Sequence, residues 1–365
     1  VDNKLYSTVF FQYVRRLMQR GSSIEFFPEG GRSRSGFSLP ARPGLLSITI
    51  RSFASLNIDN VKIIPTYIGY EKIIEGNTYR SELLGEGKKR ESFFDVFKSI
   101  RDFNNFLGNA YINFGEPIDL REFLDKELSG EDFHIASPLE RPNWLRKTTN
   151  SLGQTVMKRI NSSAAITSTS LFALSLLTST TQSLDLDTIQ SRITIFLDLL
   201  KKNPLFKEVW ITAENPKDIT SKIESLGLVK PELLGGLKIY KPSKDEAALL
   251  SFYQNNISHF FLIYSLICLS LKHIEELSIQ EISRLAKQIY PFLQNDSHLP
   301  WDIKQIDEII DMSLSVLIKS KLIYKTKTGL FRKLNGEGKN YEHYLALSRL
   351  CELTIKRIYI VMSTL

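Results

Sequence analysis

The stretch FFPEGGRSRSG, residues 26–36, sets a glutamate, two glycines, two arginines and two serines directly behind an apolar run. These residue types at this spacing suit a phosphate ester carried by a small polyol. Gly30 and Gly31 lack a Cβ, so the backbone there can turn with positive φ and offer its N–H groups to an anion. Arg32 and Arg34 each present a fork of donors. Charge-assisted bonds contribute about 1.5–3 kcal/mol each, enough to separate a phosphorylated polyol from a plain one. Ser33 and Ser35 are secondary donors, and a helix starting near Gly44 would add its positive end. Glu29 is the odd member, because a carboxylate repels a phosphate. It fits if it orients an arginine or accepts a hydrogen bond from a substrate hydroxyl. The stretch lacks the Gly-Lys-Ser/Thr ending of a P-loop. Residue types alone leave a solvated basic loop or a nucleic-acid contact equally open.

The elements that must position this loop follow from periodicity. Residues 4–20 place Leu5, Val9, Phe10, Tyr13, Val14, Leu17 and Met18 at helical spacing, with Gly21 set to stop the helix. SIEFF (23–27) reads as a short buried strand leading into the loop, and GLLSITIRSFASL returns to helix. VKIIPTYIGYE (61–71) reads as a second strand in which Pro65 marks an edge, a bulge or a strand end. FFDVFKSIRDFNNFL (93–107) reads as helix and AYINFGEPIDL (110–120) as strand. This alternation predicts an α/β domain over 1–140, a mixed sheet flanked by helices, with motif loops at strand ends.

A mainly α-helical region with one small β-hairpin is expected over 141–365. Between Asn161 and Leu184 nothing is charged, yet eleven of the twenty residues 162–181 are Ser or Thr, too polar for a membrane span and suited to a helix buried in protein. ISHFFLIYSLICLSL (257–271) is too short for a span and carries His259; it reads as a core helix or an interfacial one. The strands LIYKT and LFRKL flank the turn signal KTG, and a helix pair before a basic hairpin is the pattern of a winged helix. The helix ahead of that hairpin, DIKQIDEIIDMSLS, is acidic, which argues against DNA recognition. No internal repeat, low-complexity tract or heptad seam is evident.

The chain has 365 residues and a formal net charge of +7, suited to an anionic partner. Residues 1–56 hold eight Lys/Arg against three Asp/Glu, so the loop sits in a strongly positive stretch. Cys268 and Cys351 both lie in apolar helical sequence, which predicts buried reduced thiols rather than a disulfide framework. No Cys/His cluster has zinc spacing.

FFPEGGRSRSG resembles the third signature block of the glycerolipid acyltransferases, a Phe-x-Glu-Gly-x-Arg-Ser-Arg pattern, and IIPTYIGYE is similar to their fourth block. NKLYSTVF, YINFGEPIDL and YQNNISHF resemble the bacterial membrane-associated glycerol-3-phosphate branch of that family. The resemblance implies transfer of a fatty acyl group from acyl-carrier protein or acyl-CoA to the sn-1 hydroxyl of glycerol 3-phosphate, the first step of phospholipid synthesis, without metal or organic cofactor. It implicates Glu29, Gly30, Arg32 and Ser33 with the glycerol phosphate and Pro65 with the acyl donor; Gly31 and Arg34 join them on the backbone and charge arguments above. It also implies a peripheral place on the cytoplasmic, anionic face of the bacterial inner membrane and no nucleic-acid partner. A nucleic-acid-binding winged-helix protein and a dihydroxyacetone-phosphate acyltransferase are the alternatives.

The resemblance implies further that a histidine five positions before an aspartate takes the hydroxyl proton. The histidines here are followed five positions on by Leu139, Tyr264, Ser278, Ile303 and Ser348. The pattern is absent, and so is the arginine-bearing second block. The chain starts on Val1 without an initiator methionine, so the expectation is that the catalytic His and Asp belong upstream and that this stretch alone turns over nothing. Among the visible histidines, His259 is the one candidate base.

Overall fold

In a computed structural model, the structure describes residues 4–56, 58, 60–73, 108–136, 140–181, 183–334, 336–352, 354–356 and 360. The helix expected at 93–107 lies outside them. Two compact units emerge, and their boundaries differ from the expected division at residue 140. The first holds residues up to Ser33, Ser38–Tyr67 and Asn113–Ser163; the second holds Arg34–Phe37, 68–73, 108–112 and Ala164 onwards. The first unit extends beyond 140 because the helix at 144–162 buries Leu145, Leu152 and Val156 in its core.

The first unit contains α1 (Lys4–Gln19), α2 (Pro43–Ser55), β1 (Lys62–Ile63), part of β2 (Thr66–Tyr70) and of β3 (Ala110–Phe114), β4 (Ile118–Asp119), α3 (Leu120–Glu127) and α4 (Trp144–Ser162). Gly21 closes α1 at φ +69°, as its position predicted. Val14 and Met18 of α1, Leu46, Ile50 and Phe53 of α2, and Leu152 and Val156 of α4 form one core. Gly153 eases the packing of α4 against the entry to α2, since a Cβ there would lie 3.1 Å from Ala41 Cβ and 3.4 Å from Leu46 Cδ1. β1 pairs antiparallel with β4, and β2 pairs with β3.

The sheet is smaller than expected. Among the described residues, the strands form pairs and triplets rather than one mixed sheet. SIEFF is not a strand either: residues 22–27 have no regular structure, Phe26 packs on the core and Phe27 is 72% exposed. A strand exists only through a neighbour that takes its N–H and C=O groups, and no described strand pairs with this segment. Pro65 falls at the break between β1 and β2, a strand end, consistent with its missing donor.

The second unit repeats one motif. α5 (Ser168–Leu177), β5 (Leu184–Asp185), α6 (Leu186–Lys202), α7 (Pro216–Leu226), β6 (Glu232–Leu234) and β7 (Leu237–Tyr240) form the first copy. After α8 (Lys244–Ile257) the second copy runs through α9 (Leu262–His273), β8 (Glu276–Leu277), α10 (Ile279–Ser297), α11 (Ile306–Lys319), β9 (Ile323–Lys325) and β10 (Phe331–Lys333); α12 (Lys339–Ser348) follows. Both triplets have the same antiparallel order, β5-β7-β6 and β8-β10-β9. Asp185 and Ser278 cap α6 and α10 through their side chains. At the same spacing, α6 buries Ile189, Ile193, Leu197 and Leu200 while α10 buries Ile282, Ala286, Tyr290 and Leu293. A left-handed residue ends α7 and closely follows α11, Gly227 at φ +64° and Lys321 at +56°. The repeat therefore lives in element order and burial, where identities are too few to show in the sequence.

The Ser/Thr-rich stretch forms α5, whose hydroxyls bond within the protein: Thr167 and Ser170 build a capping box, and Ser175 and Thr178 donate to carbonyls one turn back. Residues 258–273 are buried apart from half-buried Ser270 and Lys272 and exposed His273, supporting the core reading. No helix among the described residues is long and apolar enough to cross a membrane. Cys268 and Cys351 are free and buried.

Candidate phosphate site and its family

Phe27–Gly30 is a tight turn: the Gly30 N–H donates to the Phe27 carbonyl at 3.1 Å, with Pro28 and Gly30 where such a turn favours them. Gly30 has φ +64°, and a Cβ there would meet Arg42 Cγ at 2.8 Å, so only glycine sits in this turn without strain. Its N–H is thus committed to the turn rather than offered to an anion. No positive φ occurs at Gly31, which is exposed with open space where a Cβ would stand.

The turn is tied to the start of α2. The Arg42 N–H donates to the Pro28 carbonyl at 2.7 Å, and Pro43 opens the helix. Arg42 occupies the N-cap, where Ser, Thr, Asp or Asn is usual, and no side chain caps the helix. Pro43 has no N–H, so the outward donors of the first turn are Gly44 and Leu45. A guanidinium at the positive end of a helix is unfavourable by itself and becomes favourable when an anion lies between them. Sequence reasoning missed Arg42; the signal was Arg-Pro-Gly where a capping residue belongs.

Glu29 is half-buried, and burial raises its carboxyl above the ordinary glutamate range, offset in part by a bond from the Leu39 backbone N–H. It therefore helps close the 30–39 segment and suits accepting a hydrogen bond from a hydroxyl. Ser38 donates to Asn161 Oδ1 at 2.8 Å, fixing the same segment to the end of α4. Arg32 is exposed and Ser33 half-buried in this unit. Arg34, also exposed, belongs to the second unit, as do Ser35 and Gly36. The structure thus groups Glu29–Ser33 with the start of α2 and holds Arg34 separately.

Pro65 is buried and held by other contacts: its carbonyl accepts from the Gly115 N–H at 2.7 Å. Gly115 in turn lies against α4, where a Cβ would be 2.6 Å from Ser163 Oγ.

His259 is buried beside Phe260, ring centroids 4.1 Å apart, as expected of a core residue. Ser191 and His343 have the outline of a nucleophile and base, Oγ to Nε2 2.9 Å. Burial, reinforced by Arg192 and Lys339, lowers this imidazole to about 4, and its Nδ1 has no described partner, so no carboxylate orients it. The pair is structural. The unfolded state binds this proton below about 6.5 and the folded state only below about 4, so stability falls as pH drops through that window, by about 3 kcal/mol in all. Urea unfolding at pH 7 and 4.5 should therefore show a clearly smaller acid loss in His343→Gln than in the unchanged protein; equal losses would remove this assignment.

Comparison with known proteins places these features in a class. Residues 1–69, which contain the turn and the start of α2, match the acyltransferase family model. Residues 79–365 match the model described as the glycerol-3-phosphate acyltransferase C-terminal region. The chain belongs to the glycerol-3-phosphate acyltransferase family. It is 33% identical over 363 residues to the glycerol-3-phosphate acyltransferases of Pseudomonas aeruginosa (strain LESB58) and Pseudomonas fluorescens (strain Pf0-1), and similarly to that of Pseudomonas putida (strain W619). Each alignment covers the whole of this chain and 43–44% of the relative.

Proposed function

We propose that this chain supplies the phosphate-recognition part of an enzyme that moves a fatty acyl group from acyl-carrier protein or acyl-CoA to the sn-1 hydroxyl of glycerol 3-phosphate. The observation that carries the reading is the turn-to-helix junction at Pro28–Arg42, inside the part of the chain that matches the acyltransferase family. In the proposed reaction the hydroxyl oxygen attacks the thioester carbonyl, the C–O bond forms, the C–S bond breaks and the carrier thiol leaves. A base takes the hydroxyl proton; it is assigned to none of the described residues. Arg32, with Arg42 and the first turn of α2, holds the phosphate, Glu29 accepts from a glycerol hydroxyl and Ser33 adds a donor; Arg34 is assigned to the phosphate on the charge argument from the sequence alone. Pro65 belongs with the acyl-donor region. Acylation assays with glycerol 3-phosphate and dihydroxyacetone phosphate as rival acceptors test the substrate; a faster reaction with the ketone would replace it.

A peripheral place on an anionic inner-membrane surface is part of the same reading. The β6–β7 hairpin turns at Gly235-Gly236, both with positive φ, and exposes Leu233, Leu234 and Leu237 beside exposed Lys230, Lys238 and Lys241. The corresponding turn of the second copy carries Thr326, Lys327 and Thr328, so the motif folds with a polar tip and the leucines serve something else. Replacing Leu233 and Leu237 by Glu should lower binding to phosphatidylglycerol vesicles by about tenfold or more. Unchanged cosedimentation would rule the hairpin out as the contact. Nucleic-acid binding gains no support: the exposed positions of α11 include Asp307, Glu308 and Asp311, which repel a phosphate backbone.

A further inference from the structure

Within the first unit, the last turn of α4 meets two other segments. On one side, buried Asn161 accepts from the Ser38 hydroxyl at 2.8 Å, across 123 residues of sequence. Asn is a poor choice inside a helix, because its amide competes for backbone bonds; a partner outside the helix justifies it here. Three residues on from Ser38, Ala41 lies against Gly153, about two turns back along α4. Three extended residues span about 10 Å and eight helical residues about 12 Å, so Ser38–Ala41 runs along α4. Leu39 precedes Pro40 and Arg42 precedes Pro43, which favours extended backbone at both. A stiff segment pinned at Ser38 thus fixes the Leu39 N–H, which bonds Glu29, and the Arg42 N–H, which bonds the Pro28 carbonyl. On the other side, the Gly115 N–H donates to the Pro65 carbonyl at 2.7 Å. A Cβ on Gly115 would lie 2.6 Å from Ser163 Oγ and 3.1 Å from the Arg159 carbonyl. Gly115 has no positive φ, so close contact with the helix end is what requires glycine. Asn113 Nδ2 donates to the Ser163 carbonyl at 2.9 Å and bonds the same strand end to α4.

We propose that the last turn of α4 is a two-armed positioning element: Asn161 sets the segment that carries Arg42 of the phosphate site, and the Gly115–Ser163 contact sets Pro65 of the acyl-donor region. Asn161 and Gly115 are then positioning residues, acting on the two substrates through Arg42 and Pro65. Because both arms end on one helical turn, that turn fixes the spacing between acceptor and donor, on which attack of the hydroxyl at the thioester depends. This inference rests on the phosphate and donor readings proposed above and gives one helix end a part in both.

The test uses the natural protein, Asn161→Ala, Ser38→Ala, their double variant, and Gly115→Ala with and without Ser163→Gly. Amide hydrogen exchange at Leu39 and Arg42 should quicken about tenfold in Asn161→Ala and in Ser38→Ala. In both, the KM for glycerol 3-phosphate should rise about fivefold while the KM for the acyl donor stays near its original value. The double variant should be no worse than either single one, since all three lack the same bond. Gly115→Ala should do the reverse, raising the KM for the acyl donor about fivefold. Ser163→Gly should restore part of that loss by removing the Oγ that the new methyl group meets. Unchanged exchange in Asn161→Ala overturns the phosphate arm, and an unchanged donor KM in Gly115→Ala overturns the donor arm. An equal rise of both KM values in every variant, with a lowered melting temperature, would make α4 a merely structural helix. If the unchanged protein shows no saturable response to glycerol 3-phosphate, the phosphate reading itself falls, while the exchange rates still decide whether Asn161 holds the segment.

Discussion

Replacing Arg32 by alanine is expected to raise the KM for glycerol 3-phosphate by about ten- to a hundredfold, from the loss of about 1.5–3 kcal/mol of charge-assisted hydrogen bonding. The KM for the acyl donor should move little, because the thioester presents no phosphate to this arginine in the proposed arrangement. Arg32→Lys should recover only part of the loss, since an ammonium keeps the charge and gives up the planar two-pronged geometry. Steady-state kinetics with each substrate varied in turn checks all three statements. Equal effects on both substrates would show Arg32 acting on the fold or the acyl donor instead.

Replacing Glu71 by alanine is expected to destabilise the second unit by about 3 kcal/mol or more, a fall in melting temperature of roughly 6–12 °C. Glu71 is 2% exposed, and its carboxylate accepts from the Asn109 N–H at 2.8 Å and the Tyr111 hydroxyl at 3.1 Å, with Lys222 Nζ at 3.2 Å. Its backbone carbonyl also accepts from Thr169 at 2.7 Å, at the start of α5. One buried side chain thus satisfies two donors and a cation, and its removal leaves all three without that partner. Gly108 belongs to the same arrangement, since a Cβ there would meet Glu71 Oε2 at 2.5 Å. Calorimetric melting of Glu71→Ala and Glu71→Gln checks the account. The glutamine keeps shape and one acceptor and should lose less; a loss under about 1 kcal/mol in the alanine variant would mean that solvent replaces these bonds.

Features with local causes were legible in the sequence. α1 followed from apolar spacing and its stop signal Gly21, and α2 from the helical stretch that begins near Gly44. Within 61–71, read as one strand, Pro65 signalled an edge, a bulge or a strand end; the strand end is what stands there, because proline has no N–H to give a ladder. The hairpin at 323–333 followed from its turn residues. What failed was non-local. SIEFF has strand composition, yet a strand is decided by a neighbour that composition does not supply. The duplicated motif was invisible because Asp185 and Ser278, or Gly227 and Lys321, do the same backbone work with different side chains. In the candidate site, the glycines and arginines were legible as a group but their division of labour was not. Gly30 spends its N–H on its own turn, and Arg42 joins from the helix start.

The central claim is that the 27–42 segment recognises a phosphate and not merely a polyol. Calorimetric titration of the natural protein with glycerol 3-phosphate and with glycerol, repeated on Arg32→Ala, tests it most directly. The expected result is saturable binding of glycerol 3-phosphate alone, displaced by inorganic phosphate and weakened at least about tenfold in the variant. Glycerol binding as tightly as its phosphate ester, or an affinity indifferent to Arg32, would contradict it.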